Sequence, residues 1–291
     1  MHSNTLTWLI SLISVLALIA ASAGLFAPGG DGTFTFTTVR GQTVEMYGLG
    51  LYENDARLTG AGFRGADAVL LALGLPLLIA CYLRYRRGSI RAGLITIGLL
   101  FYFLYYGISM LAGAAFNALF LVYTGLFSAS LFAVIMALTT FDAQDLAKRV
   151  LPGLPHRGTG IFLCVTGVAT FLLWLSELVG PLFHGETPEL LGPYTTLFTH
   201  GFDSAVITPA AVITGLSLLQ RKPLGYLLTV PMLVLCTMNG VVVLAQTMSQ
   251  TLAGIAFPIG VYIGMIGSWI VMGAFAISLT GSFFRHLATQ G

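Results

Sequence analysis

The residues RYRRGSIR at positions 84–91 run straight into AGLITIGLLFYFLYYGISMLAGAA at positions 92–115. The second stretch carries no charge and, as a helix rising 1.5 Å per residue, is long enough to cross a hydrocarbon core roughly 30 Å thick. The first holds Arg84, Arg86, Arg87 and Arg91, the kind of basic turn that stays on the cytoplasmic side of a membrane. A basic turn leading into a spanning helix is therefore the unit from which the chain is read.

That unit recurs. Apolar runs at Trp8–Phe26, Ala66–Leu83, Ala92–Ala115, Ala118–Leu138, Ile161–Val179, Asp203–Leu219, Leu224–Thr247 and Ala253–Phe284 predict about eight spanning helices. Hydrophobic residues make up 56% of the 291 positions and charged residues only 8%, too few to cover a water-facing surface. The runs are continuous, which argues against the alternating pattern of an outer-membrane barrel. The expected fold class is all-α, a polytopic transmembrane helical bundle. Cys81, Cys164 and Cys236 all lie inside apolar runs and suggest neither a disulfide framework nor a redox centre.

The distribution of charge sets the expected orientation. Lys148, Arg149 and Arg157 follow the fourth run, Arg221 and Lys222 the sixth, and Arg285 the eighth, joining the four arginines after the second. Only Arg40, Arg57 and Arg64 fall on the other side. This asymmetry predicts a cell (inner) membrane protein with both termini cytoplasmic. Ala21-Ser22-Ala23 resembles a signal-peptidase site, but Met1–Thr7 lacks Lys and Arg and the apolar run exceeds a usual signal core, so a retained first span is expected.

Two outer loops are long. The first, residues 27–65, alternates through Thr33–Val39 and Thr43–Tyr47 around Arg40-Gly41-Gln42 and predicts a β-hairpin. The second, residues 180–202, reads as an irregular cap. The same plan then appears twice, giving a four-helix unit over 1–138, a cytoplasmic linker over 139–160 and a second unit over 161–291. Arg64-Gly65-Ala66-Asp67 opens one span and His200-Gly201-Phe202-Asp203 its counterpart; Pro76 and Pro209 follow, and Arg86-Arg87 and Arg221-Lys222 close them. Four spans per unit give both halves one orientation, a 4+4 parallel internal repeat; the alternative is coincidence among glycines, prolines and basic turns.

Acidic residues crowd the outer side. Asp31, Glu45, Glu53, Asp55, Asp67, Glu177, Glu186, Glu189 and Asp203 lie there or at its edge, against Asp142 and Asp145 inside. Glu177, Asp67 and Asp203 stand out, because ionisable groups at membrane depth are costly and usually face a partner or cavity. Asp67 and Asp203 are expected to act as N-terminal helix caps. Glu177 lies near a helix C-terminus, where the dipole opposes it, so a proton, a cation or Arg64 is expected nearby. With Tyr105, Tyr106, Asn117, His200 and Asn239 these residues form a candidate polar pocket near the outer face. His184, Glu186, His200 and Asp203 are weak candidate metal ligands, with the right donor types but no tight spacing.

The chain contains no H-E-x-x-H, G-x-S-x-G or G-x-x-x-x-G-K-[ST], and no lysine in a span for a retinal Schiff base. No nucleic-acid partner is expected, and no cofactor or oligomeric state can be assigned; the partners are the lipid bilayer and a small-molecule or ion ligand. The leading expectation is a permease or channel-like protein for a small cationic solute. The alternatives are a membrane-embedded enzyme acting on a lipid or isoprenoid, with Glu177, His200 and Asp203 as acid, base or ligand, and a non-catalytic accessory subunit.

Overall fold

In hydrocarbon no water is available to pair a backbone N–H or C=O, so a spanning chain closes its hydrogen bonds within each helix. The computed structural model describes residues 4–288, the side chain of Met265 excepted. It contains eight helices long and apolar enough to cross a membrane: Asn4–Phe26, Arg57–Arg86, Ile90–Gly113, Phe120–Thr139, His156–His184, Phe198–Leu219, Pro223–Leu252 and Val261–Arg285. These are the first to eighth spans below.

Local chemistry fixes the helix starts. Ser89 Oγ accepts from the N–H of Ala92 at 3.3 Å to cap the third span, and proline stands in the first turn of the seventh. In the connection between the fourth and fifth spans, Asp142 accepts from the N–H groups of Gln144 and Asp145 and caps a short helix, Ala143–Lys148. That connection also pairs with the chain's end: Leu151 N–H donates to His286 O, and Ala288 N–H to Arg149 O. Arg91 adds donors to Phe284 O and Leu287 O, closing the basic face of the bundle.

The third and seventh spans form the centre. The third packs on the second, fourth and seventh; the seventh also packs on the second, sixth and eighth. The first lies against the second and fourth, and the fifth against the sixth. Burial follows this order, from 61% of the third span's apolar window to 22% for the fifth and 18% for the eighth. The exposed side chains of the peripheral spans, such as Trp8, Val165, Ile263 and Phe275, are the apolar surface a lipid phase requires.

On the opposite face, strands β1 (Phe34–Thr37) and β2 (Thr43–Met46) pair antiparallel with Phe34 opposite Met46 and Thr37 opposite Thr43. The expected hairpin is present. This hairpin face is clamped to the second long loop, because Arg40 donates to the carbonyls of Gly192 and Tyr194 and Gln42 Nε2 to Pro188 O.

Several boundaries differ from the sequence reading; the fifth span, for one, runs from His156 to His184 where Ile161–Val179 was expected. The second span begins at Arg57, nine residues before Ala66, so the loop preceding it is shorter. Its polar first turns are affordable because Arg57 pairs with Glu45 at 2.8 Å and donates to Ala253 O, while Arg64 donates to Leu25 O. The sixth span begins at Phe198, ahead of Asp203. The eighth begins at Val261, with Pro258 and Gly254 in the connection before it.

Three spans also contain one wider turn each, at Leu70–Gly74, Asp203–Ile207 and Val261–Ile266, where the hydrogen bonds reach one residue further back. In the second and sixth spans a proline, Pro76 or Pro209, stands two residues after that turn. Proline lacks an N–H and its ring crowds the preceding turn, so a widened turn there relieves the conflict.

The second and seventh spans approach closely at Gly65, where an added Cβ would lie 2.5 Å from Ala245 O and 2.6 Å from Gln246 Cα. Both neighbours are backbone and cannot rotate away. Gly65→Val should therefore destabilise the bundle by roughly 1–3 kcal/mol, the usual cost of overpacking. A lower melting temperature in detergent is expected, whereas Gly281→Val, with nothing within 4 Å of the added group, should melt near the parent value.

Candidate functional site

Buried carboxyls organise the hairpin-side half of the bundle. Asp67 is fully buried and is not a helix cap, since its helix begins ten residues earlier. Its two oxygens accept from Tyr52 Oη at 2.7 Å and Tyr106 Oη at 2.5 Å. The first span reaches this carboxyl through Gly24, whose place no larger residue fits: a Cβ there would lie 1.8 Å from Asp67 Oδ2.

Asp203 is likewise interior to its helix and not a cap. Trp174 Nε1–H of the fifth span donates to its Oδ2 at 3.0 Å. The other oxygen, Oδ1, is buried and makes no hydrogen bond of normal geometry among the described residues, although the Tyr105 hydroxyl lies against the same carboxyl. Glu177 meets His200, not Arg64: its Oε2 lies 2.7 Å from His200 Nε2, and the His200 ring packs 4.3 Å from that of Trp174. Glu177 is about one-third exposed, in the wall of a recess of about 380 Å³ that Pro188, Glu189 and Leu190 of the second long loop also line.

Between the second, third, fifth, sixth, seventh and eighth spans lies a cavity of about 260 Å³. Tyr105, Tyr106, Asp203 and Asn239 of the sequence candidates stand in its wall. Asp67 sits one layer behind, reached through Tyr106, and His200 and Glu177 lie behind Trp174. Asn117 is elsewhere: its side chain accepts from Leu119 N–H and donates to Ala115 O, shaping the turn between the third and fourth spans. The metal candidates do not converge. His184 bonds back to Gly180 O in its own helix, Glu186 lies exposed in the loop, and no group of three or more His, Cys, Asp or Glu among the described residues is arranged to hold a metal.

The wall also contains residues that sequence reading passed over. Tyr102, whose buried hydroxyl has no hydrogen-bond partner among the described residues, lines the cavity, as do Trp174 and Trp269. No local signal marks them, because aromatic residues at such depth are more often plain packing. An apolar, aromatic pocket with a few convergent polar groups is the general form of a small-molecule site.

A further carboxyl governs the hairpin face. Asp55 is buried, and its Oδ1 accepts from Ala115 N–H and from Tyr194 Oη, each at 2.8 Å. Tyr194 Oη in turn accepts from Ala56 N–H. One atom thus joins the first long loop, the turn between the third and fourth spans, and the second long loop. Burial pushes the Asp55 carboxyl up from 3.8 to about 6, against the opposing effect of its two hydrogen bonds.

The eight spans, the hairpin cap and the cavity define a multi-pass membrane protein of the helical-bundle class. Comparison with known protein families, with curated proteins and with solved structures finds no match to this chain.

The sign of the Asp55 effect follows from linkage. Between about pH 4 and 6 the folded chain holds a proton that the unfolded chain has released, so this group favours folding at acid pH and the benefit is lost as pH rises through about 6. Melting temperatures of the parent relative to Asp55→Asn, measured in detergent from pH 4 to 7, should fall steadily with rising pH. A pH-independent difference would contradict this assignment.

Proposed function

We propose that this chain is a permease or channel-like protein of the cell (inner) membrane that passes a small cationic solute through the hairpin-side cavity. The carrying observation is Asp203, a buried acid in the cavity wall whose Oδ1 makes no hydrogen bond of normal geometry among the described residues, with only the Tyr105 hydroxyl and the Trp174 N–H set against the carboxyl. Leaving such a group unpaired costs on the order of 1–3 kcal/mol, more when it is charged, and a cationic or donor-bearing solute removes that cost. The enzyme alternative is less well supported, because Glu177 and His200 bond to each other behind Trp174 and leave Asp203 as the one carboxyl among the described residues that lines the cavity.

The charge distribution supports an arrangement with the hairpin face outside and both termini in the cytoplasm. The two four-span halves are read as a parallel repeat, supported by the widened turn and following proline shared by the second and sixth spans. The central third and seventh spans, equivalent in that repeat, then form the seam between the units.

Two experiments test this reading. Reporter fusions after Arg87, Lys148 and Lys222 should register cytoplasm, and fusions near Glu45 and Glu189 the outside; the reverse pattern would refute the orientation. In proteoliposomes of the purified chain, uptake of at least one of rubidium, guanidinium and phenethylammonium should exceed that of empty liposomes. Asp203→Asn should lower that uptake at least tenfold. Uptake equal to empty liposomes for all three, or unchanged by the substitution, would remove the transport assignment.

A further inference from the structure

The cavity that serves as solute site in the reading above has a wall with a definite chemistry. Among the described residues its lining includes one carboxylic acid, Asp203, and no Lys, Arg or His. The charge it can match is therefore a single positive one, and an anionic ligand would enter low-dielectric surroundings without a counter-charge.

A bare metal cation fits poorly. Calcium takes six to eight oxygen ligands and magnesium a strict octahedron, whereas most of this wall is carbon. Its polar atoms are spread over Asp203, the hydroxyls of Ser109, Thr199, Thr247 and three tyrosines, and the amides of Asn239, Gln246 and Gln250. One of those amides is already engaged, since Gln250 Nε2 donates to Leu58 O at 3.0 Å.

The aromatic content points further. Tyr102, Tyr105, Tyr106, Trp174 and Trp269 present rings to the same space. Ring faces attract cations, by about 0.5 kcal/mol when exposed and about 2 or more when desolvated. They also receive an apolar body, for which Met110, Val242, Val243 and Ile266 supply the remaining wall. Trp174 holds Asp203 in place through its own N–H, and the Tyr105 hydroxyl lies against the same carboxyl, so the acid is fixed in the wall by two aromatic side chains. At about 30 Å³ per water-sized group, the cavity's 260 Å³ holds on the order of ten non-hydrogen atoms.

We propose that the cavity binds a compact organic monoamine, whose protonated nitrogen donates to the Asp203 carboxylate and whose apolar, ring-sized body lies among the aromatic side chains. This inference rests on the cavity being the ligand site. It adds the ligand class, which the transport reading leaves open.

The test is equilibrium binding to the purified full chain in detergent at pH 7, by titration calorimetry and by quenching of tryptophan emission. Phenethylamine serves as probe and 2-phenylethanol as its neutral counterpart of nearly equal size. The amine should bind at least tenfold more tightly than the alcohol. Asp203→Asn should erase that preference while leaving alcohol affinity within about threefold, and Asp203→Glu should retain a preference for the amine. Equal affinities on the parent chain, no detectable amine binding at millimolar concentration, or a preference that survives Asp203→Asn would each overturn the proposal. The parent-chain comparison decides the matter even if a variant fails to fold. Amine binding without any cation uptake in proteoliposomes overturns the transport reading alone; uptake of rubidium or guanidinium without an amine preference overturns this inference alone.

Discussion

A carboxyl group enclosed in a bundle of apolar helices has to find its hydrogen-bond donors there, and Asp67 finds both in tyrosines. Tyr52 comes from the loop after the first span and Tyr106 from the third. Two such bonds hold three parts of the chain at a common point, and the first span closes it by having no side chain at Gly24. Leucine–leucine contacts do little to choose between helix arrangements in lipid, because lipid tails are as apolar as leucine. A buried polar group with fixed donors does choose, since every alternative packing leaves it unpaired. The cavity inherits this order: Tyr106, anchored to Asp67 on one side, presents its ring to the cavity on the other.

Much of the architecture was legible because the bilayer limits what a sequence can do. Eight apolar runs correspond to eight helices, and alternating residues around Gly41 correspond to the two-stranded hairpin. What hydropathy could not locate is where a helix begins when its first turns are polar. Arg57 and Arg64 read as loop residues until Glu45, Ala253 O and Leu25 O are seen to satisfy them. That single shift turned Asp67 from a supposed cap into an interior residue. The same happened at Asp203, where the helix starts at Phe198.

The cavity wall was legible only in part: of the three acids singled out at depth, Asp203 alone lines it. Asp203, Tyr105, Tyr106 and Asn239 were picked out by polarity at depth and do share one cavity. Glu177 stood out as an acid expected at a helix C-terminus; the helix instead runs on to His184, and its partner is a histidine 23 positions further on, His200, which no spacing rule connects to it. Tyr102, Trp174 and Trp269 gave no sign, because a ring that packs and a ring that awaits a ligand are identical in sequence. Asn117 shows the opposite error: an amide at the right depth that is spent on its own turn.

The Asp55 node bears on how the hairpin face can behave as a mechanical object. Its single accepting oxygen is shared by the backbone of the turn at Ala115 and the side chain of Tyr194, while Tyr194 also holds Ala56. Arg40 and Gln42 fasten the hairpin to the same second loop, and Arg57 ties the start of the second span to the end of the seventh. Segments riveted in this way share their displacements. A rearrangement of the hairpin face therefore tilts it as one stiff plate, hinged where the plate meets the helices, or else begins by prying Tyr194 from Asp55.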